Sequence, residues 1–179
     1  MAVLAELYLD GCSVLDVTYG QGSWWKRYLP DRFTYHDLQL DGIDFRALPY
    51  PAASFDVVTY DPPYVATGPA TDNADAHDTR AAYGIEQGRS IRQLDELMHA
   101  GLLEAMRVAR LRVLVKCMDY TAGGGLVLGH CKVIAWAQEA GWQVHDLLVH
   151  HTQVGQGGWN IKVQRRARRA HSYLLVLQP

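Results

Sequence analysis

Cysteine, long apolar runs and net charge are all scarce in this chain. The three cysteines, Cys12, Cys117 and Cys131, are odd in number and show no C-x-x-C spacing, which argues against a disulfide framework and against a zinc site. His130 precedes Cys131, but adjacent side chains rarely converge on one ion, so the cysteines are read as structural and no metal is expected. No basic segment followed by an apolar run and a cleavage site opens the chain, and no apolar stretch reaches the roughly 18 to 20 residues that span a bilayer. A reducing, cytoplasmic setting without a membrane is the expectation. The formal net charge is −2, which excludes a surface coated in basic residues and makes any nucleic-acid contact regional. The eight histidines form no recognisable metal or triad spacing. No internal repeat or low-complexity tract interrupts the chain, and 179 residues with 49% apolar content suit one domain over positions 1–179.

What the sequence does have is an alternation of short apolar runs with helical patterns, the signature of βαβ units and a parallel sheet. Strands are predicted over 13–17, 32–38, 42–45, 54–60, 111–117, 142–150 and 171–178. Helices are predicted over 23–29, 90–110 and 130–140, with Ser23 as a candidate N-cap of the first. The last two strands enclose a Gly-rich stretch, 154–160, and a basic stretch, so they read as an antiparallel hairpin with a loop over 154–171. Residues 65–89 lack periodicity and form a loop long for a compact domain, a candidate lid or substrate loop. The fold class expected is therefore α/β, a single Rossmann-like domain with a mostly parallel seven-stranded sheet and a C-terminal antiparallel hairpin.

Two strand ends carry chemistry. The first reads Asp16-Val17-Thr18-Tyr19-Gly20-Gln21-Gly22, an acidic strand end followed by a glycine turn, which α/β folds use to hold a nucleoside cofactor. Glycines at 20 and 22 let backbone approach a ligand, although a G-x-G turn also occurs for structural reasons. Asp37, 21 residues after Asp16, is suited to accept hydrogen bonds from a ribose. Asp44 is suited to an adenine amine and Phe45 to cover the base; for both acidic positions a solvated turn residue is the plainer reading.

The second strand end is Asp61-Pro62-Pro63-Tyr64. A base amine is a poor nucleophile because its lone pair is delocalised into the ring. The Asp61 carboxylate and the Pro62 carbonyl can accept its two N–H bonds, drawing the lone pair out of conjugation and opposing the positive charge of attack. Pro62 and Pro63 fix that backbone in advance, and Tyr64 offers a face on which an extruded base can stack. The plainer alternative is a stiffened turn.

With these residues the chain resembles the class I S-adenosylmethionine-dependent methyltransferases, and among them the amino-methyltransferases of nucleic acids. Residues 14–22 look like their first motif, Asp44-Phe45 like the adenine-binding position and Asp61 to Tyr64 like the catalytic motif, with weaker likeness through 111–117 and 172–177. The resemblance implies S-adenosylmethionine as cofactor, held by Asp16, Val17, Thr18, Gly20, Gly22, Asp37, Asp44 and Phe45. It implies direct in-line transfer without a metal, and Asp at position 61 leans towards adenine N6 in DNA. An RNA guanine-N2 enzyme and a non-catalytic nucleic-acid-binding module of the same fold are the alternatives. Lys162, Arg165, Arg166, Arg168 and Arg169 place five positive charges within 162–169 and are the expected phosphate contacts, against a solvated hairpin face. Trp159 is a candidate stacking partner beside them. No separate target-recognition domain is evident, so specificity is expected from loops, from a partner (a second copy or a specificity protein), or not at all.

Overall fold

The computed structural model describes residues 2–63, 90–122, 125–151 and 170–179. Tyr64, the 65–89 loop, Trp159 and the basic residues Lys162, Arg165, Arg166, Arg168 and Arg169 lie outside the described residues.

Helix α1 (Ala2–Tyr8) precedes strand β1 (Ser13–Asp16), and β2 (Arg32–Tyr35) and β3 (Phe55–Tyr60) follow. After them come α2 (Ile91–Val108), β4 (Ala109–Cys117), the small strands β5 (Tyr120–Ala122) and β6 (Gly125–Val127), α3 (Gly129–Glu139), β7 (Gln143–His151) and β8 (His171–Gln178). The main sheet runs β2-β1-β3-β4-β8-β7. Its first four strands are parallel, and β8 is antiparallel to both β4 and β7. The closing hairpin is therefore as expected from the sequence.

Buried strands read as continuous apolar runs because each face of the sheet is covered. Consecutive residues alternate between two cores, as the period of two requires. Leu15, Val58, Val113, Val115, Leu175 and Leu177 face the core shared with α2 and α3. Val14, Val57, Leu114, Leu174 and Val176 face the smaller core, which holds Tyr8, Leu9 and Trp25. Ser90 caps α2 with a reciprocal capping box involving Gln93. Gly101 on α2 lets that helix approach the sheet: a Cβ there would stand 2.3 Å from the Tyr60 hydroxyl and 2.5 Å from the Phe45 ring.

Two sequence expectations need correction. Among the described residues the main sheet has six strands rather than seven, since 42–45 is not a strand. The cause is local: three aspartates bond to backbone two residues ahead, Asp37 to the Gln39 amide at 2.9 Å, Asp41 to Ile43 at 3.1 Å and Asp44 to Arg46 at 2.9 Å. Such side-chain turns take the donors that a strand ladder would use. The 23–29 helix is likewise a run of turns, with the Trp25 amide reaching Gly22 and the Tyr28 amide reaching Trp25. There the indoles of Trp24 and Trp25 are drawn to two different strand ends. No helix among the described residues is long and apolar enough to cross a membrane.

Candidate active site

The strand order reverses at β1, which has β2 on one side and β3 on the other. In open α/β sheets the crevice at such a switch point, beyond the strands' carboxyl ends, is where ligands bind. Asp16 ends β1 and Asp61 directly follows β3, so topology alone brings the two acidic positions together.

Asp16 is buried, with Oδ1 accepting from the Thr18 amide at 2.9 Å and Oδ2 from the Trp25 indole at 2.6 Å. Burial pushes its carboxyl up to about 6, against the opposing pull of those two donors. A folded value above the unfolded 3.8 means that the folded chain holds this proton more tightly. Stability from protonated Asp16 is then complete below about pH 4 and is lost as pH rises through about 6, a difference of roughly 3 kcal/mol. Comparing wild type with Asp16→Asn by denaturant unfolding between pH 4 and 7 should show the wild type losing about that much relative to the variant. A difference that stays flat with pH would show that Asp16 titrates as in the unfolded chain.

Gly20 and Gly22 both take positive φ, +54° and +65°, and a Cβ on Gly22 would stand 2.6 Å from the Tyr19 hydroxyl. The turn therefore requires glycine for its own geometry. Its Gly20 amide donates to Asp37 Oδ2 at 2.9 Å, while Asp37 Oδ1 accepts from Gln39. A carboxylate offers about four acceptor positions, so one bond on each oxygen of this half-buried group leaves capacity for two sugar hydroxyls. Val17 is buried and its amide donates to Thr59, which makes it part of the sheet's packing. Asp44 is held by the Arg46 guanidinium, with Nε 3.0 Å from each carboxylate oxygen. Phe45 packs edge-on against Tyr60, with ring centroids 5.4 Å apart.

Thr18 ties the two strand ends together: its hydroxyl accepts from the Asp61 amide at 2.7 Å. At Asp61, two donors meet one oxygen. Lys116 Nζ lies 2.8 Å and the Trp24 indole nitrogen 3.1 Å from Oδ2. Oδ1 has no such partner among the described residues and is left to accept from something else. Burial raises the Asp61 pKa, and Lys116 first, then Trp24, oppose that rise. The adjacent indoles thus divide their work, Trp25 on Asp16 and Trp24 on Asp61.

A cavity of about 610 Å³ opens beside this centre, lined by Trp24 and Lys116 together with Leu4, Ser23, Leu148 and Tyr173. That volume lies within the usual range for small-ligand sites. None of Asp61, Asp37 and Asp44 is among its lining residues; it meets the centre through Trp24 and Lys116, the two donors to Asp61. Among the described residues no cluster of three histidine, cysteine or acidic side chains could hold a metal.

Sequence reasoning brought Asp16, Gly20, Gly22, Asp37 and Asp61 to this crevice, and missed Lys116 and the role of Trp24. The available signal for Lys116 was a charged residue one position from the strand's end, directly after the buried apolar run Val113-Leu114-Val115, the kind of exception that carries information.

No protein-family model matches the chain, and no curated protein matches it. Solved structures do. A candidate methyltransferase from Bacillus halodurans C-125 aligns over 99% of this chain and 97% of its own at 13% identity, with a TM-score of 0.55. A SAM-dependent methyltransferase from Aquifex aeolicus aligns over 99% of this chain and 88% of its own at 14% identity, with a TM-score of 0.51. A candidate DNA modification methylase from Thermus thermophilus aligns over 92% of this chain at 14% identity, with a TM-score of 0.46; the chain spans about half that protein's length, 51%. At these identities the first two likenesses establish the fold, an α/β Rossmann-like methyltransferase fold.

Proposed function

We propose that this chain transfers a methyl group from S-adenosylmethionine to the exocyclic amine of a nucleic-acid base, adenine N6 in DNA. The observation that carries the reading is Asp61: a half-buried carboxylate at the switch point, gripped by Lys116 and Trp24 on one oxygen and, among the described residues, without a partner on the other.

Asp37, with acceptor capacity to spare, suits the cofactor's ribose, and the Gly20–Gly22 turn suits close passage of its amino-acid end. S-adenosylmethionine, when bound, supplies an electrophilic methyl on a sulfonium. Asp61 Oδ1 and the Pro62 carbonyl accept the two N–H bonds of the amine, so its lone pair turns towards the donor. As nitrogen becomes cationic in the transition state, the negative charge of Asp61 counts for more than in the ground state, which is what makes an interaction catalytic. Lys116 and Trp24 hold that carboxylate ionised and oriented. The attacking amine keeps its proton until transfer is complete, when the cationic nitrogen is acidic enough to release it to water, so no strong base is required.

Arg46 competes with an adenine amine for Asp44, so the cofactor's base is held through Asp44 only if that ion pair opens. The cavity beside Lys116 and Trp24 suits the flipped base or its sugar. Lys162, Arg165, Arg166, Arg168 and Arg169 supply phosphate contacts in this reading, with Tyr64 as the stacking surface. The likeness in fold to a SAM-dependent methyltransferase from Aquifex aeolicus supports the donor. The five cations clustered within 162–169 of a slightly acidic chain support a polyanionic substrate.

Methyl-labelled S-adenosylmethionine, incubated with the chain and separate DNA and RNA pools, tests this. Label is expected in DNA. Label confined to RNA would overturn the choice of polymer, and none in either would overturn the reaction.

A further inference from the structure

Away from this centre, α3 begins with Gly129-His130-Cys131, and its first turn packs against the loop that follows β4. A Cβ on Gly129 would stand 2.2 Å from the Met118 carbonyl, so only glycine allows the helix to start so close to that loop. The approach brings His130 Nδ1 to 2.6 Å from Asp119 Oδ1, and the Asp119 carboxylate is buried. As a carboxylate Asp119 only accepts, so the ring proton belongs on Nδ1 and Nε2 of a neutral ring is left as an acceptor. Cys131 Sγ lies 3.4 Å from that Nε2, and Cys131 is exposed. Tyr173 completes the support: its ring stacks on His130 with centroids 4.2 Å apart, and its hydroxyl lies 3.4 Å from Asp119 Oδ2 and 3.1 Å from His171 Nε2.

We propose that Cys131, His130 and Asp119 form a thiol-modification site in which His130 takes the Cys131 proton and the sulfur undergoes exchange with small disulfides. Nucleophile, base and orienting carboxylate stand in the sequence of contacts that activates a thiol. Cys131 also sits in the first turn of an 11-residue helix whose N-cap, Leu128, makes no side-chain cap bond. In the step, Sγ attacks one sulfur of the disulfide and its proton passes to His130 Nε2. The disulfide S–S bond breaks, a mixed disulfide forms on Cys131, and the other half leaves as a thiolate that the His130 proton or water neutralises. No further oxidant is needed. Tyr173 also lines the cavity beside Lys116, so the thiol site and that cavity share a wall. The inference stands apart from the methyl-transfer reading and does not depend on it.

The other cysteines serve as internal controls. Burial, followed by the charge of Asp56, raises the Cys12 thiol pKa, and burial pushes that of Cys117 up to about 12. The native chain is mixed with 5,5′-dithiobis(2-nitrobenzoate), and release of the aromatic thiolate is followed over a range of pH. One fast thiol is expected, absent in Cys131→Ser, and slowed roughly tenfold or more in His130→Asn at neutral pH. Glutathione under the same conditions provides a reference that needs no variant to fold. A Cys131 that reacts no faster than glutathione, or equally fast with and without His130, would overturn the proposal.

Discussion

Replacing Asp61 by Ala is expected to lower methyl transfer roughly a thousandfold, the scale on which removing one preorganised partner of a developing charge slows an enzyme. S-adenosylmethionine binding, followed by calorimetry, should stay within a few-fold of wild type, because Asp16, Gly20 and Asp37 belong to β1 and to the segments after β1 and β2 and make no hydrogen bond to the Asp61 side chain. The separation between transfer and binding is the informative feature. Asp61 accepts through Oδ2 from Lys116 and Trp24 and holds its amide against Thr18, but that amide bond is backbone and survives the substitution. A variant that keeps near-normal transfer would show that the amine is activated elsewhere. A variant that loses cofactor binding as well would show that position 61 shapes the turn rather than the chemistry.

The second large effect is expected at Lys116. Burial raises the Asp61 pKa and Lys116 is the first group opposing that rise, so Lys116→Met lets it climb further. In the proposed mechanism transfer requires the ionised carboxylate. The acidic limb of the pH–rate profile should therefore move to higher pH, and the plateau above it should fall about tenfold to a hundredfold because Oδ2 is then held by the Trp24 indole alone. Lys116→Arg should recover much of the limb, since it restores the charge. Trp24→Phe, which removes one neutral donor, should lower the plateau and move the limb less. A loss of rate in Lys116→Met with an unmoved acidic limb would mean that the lysine merely supports the fold.

Much of this centre could be read from the sequence because its parts end strands. A carboxylate at the end of an apolar run, followed by glycines or prolines, announces a strand end; the placement of Asp16, Gly20, Gly22 and Asp61 at the crevice was legible for that reason. The 42–45 segment was misread because its apolar residues suggested a strand, while the aspartates at 37, 41 and 44 were spending their oxygens on nearby amides. Local polar competition of this kind has no period to detect. The bonds from Lys116 and Trp24 to Asp61 were not legible because their partner is distant in sequence, 55 and 37 residues away. His130 and Cys131 were noticed and set aside as a poor metal pair. Their relation depends on Asp119 arriving from the loop after β4, and on Gly129 admitting the helix to that loop, neither of which the spacing of histidines and cysteines reveals. Thr18 was taken as part of the cofactor turn, whereas its hydroxyl tethers that turn to the Asp61 backbone.

The most direct test of a base-amine methyltransferase is the identity of the methylated nucleoside. DNA treated with the chain and S-adenosylmethionine is digested to nucleosides and analysed by mass spectrometry, with Asp61→Ala in parallel. N6-methyldeoxyadenosine formed by the wild type and lost in the variant is the expected result. A methyl group found on a ring nitrogen, a ring carbon or a sugar oxygen, or formed equally by the Asp61 variant, would contradict an exocyclic amine activated by Asp61.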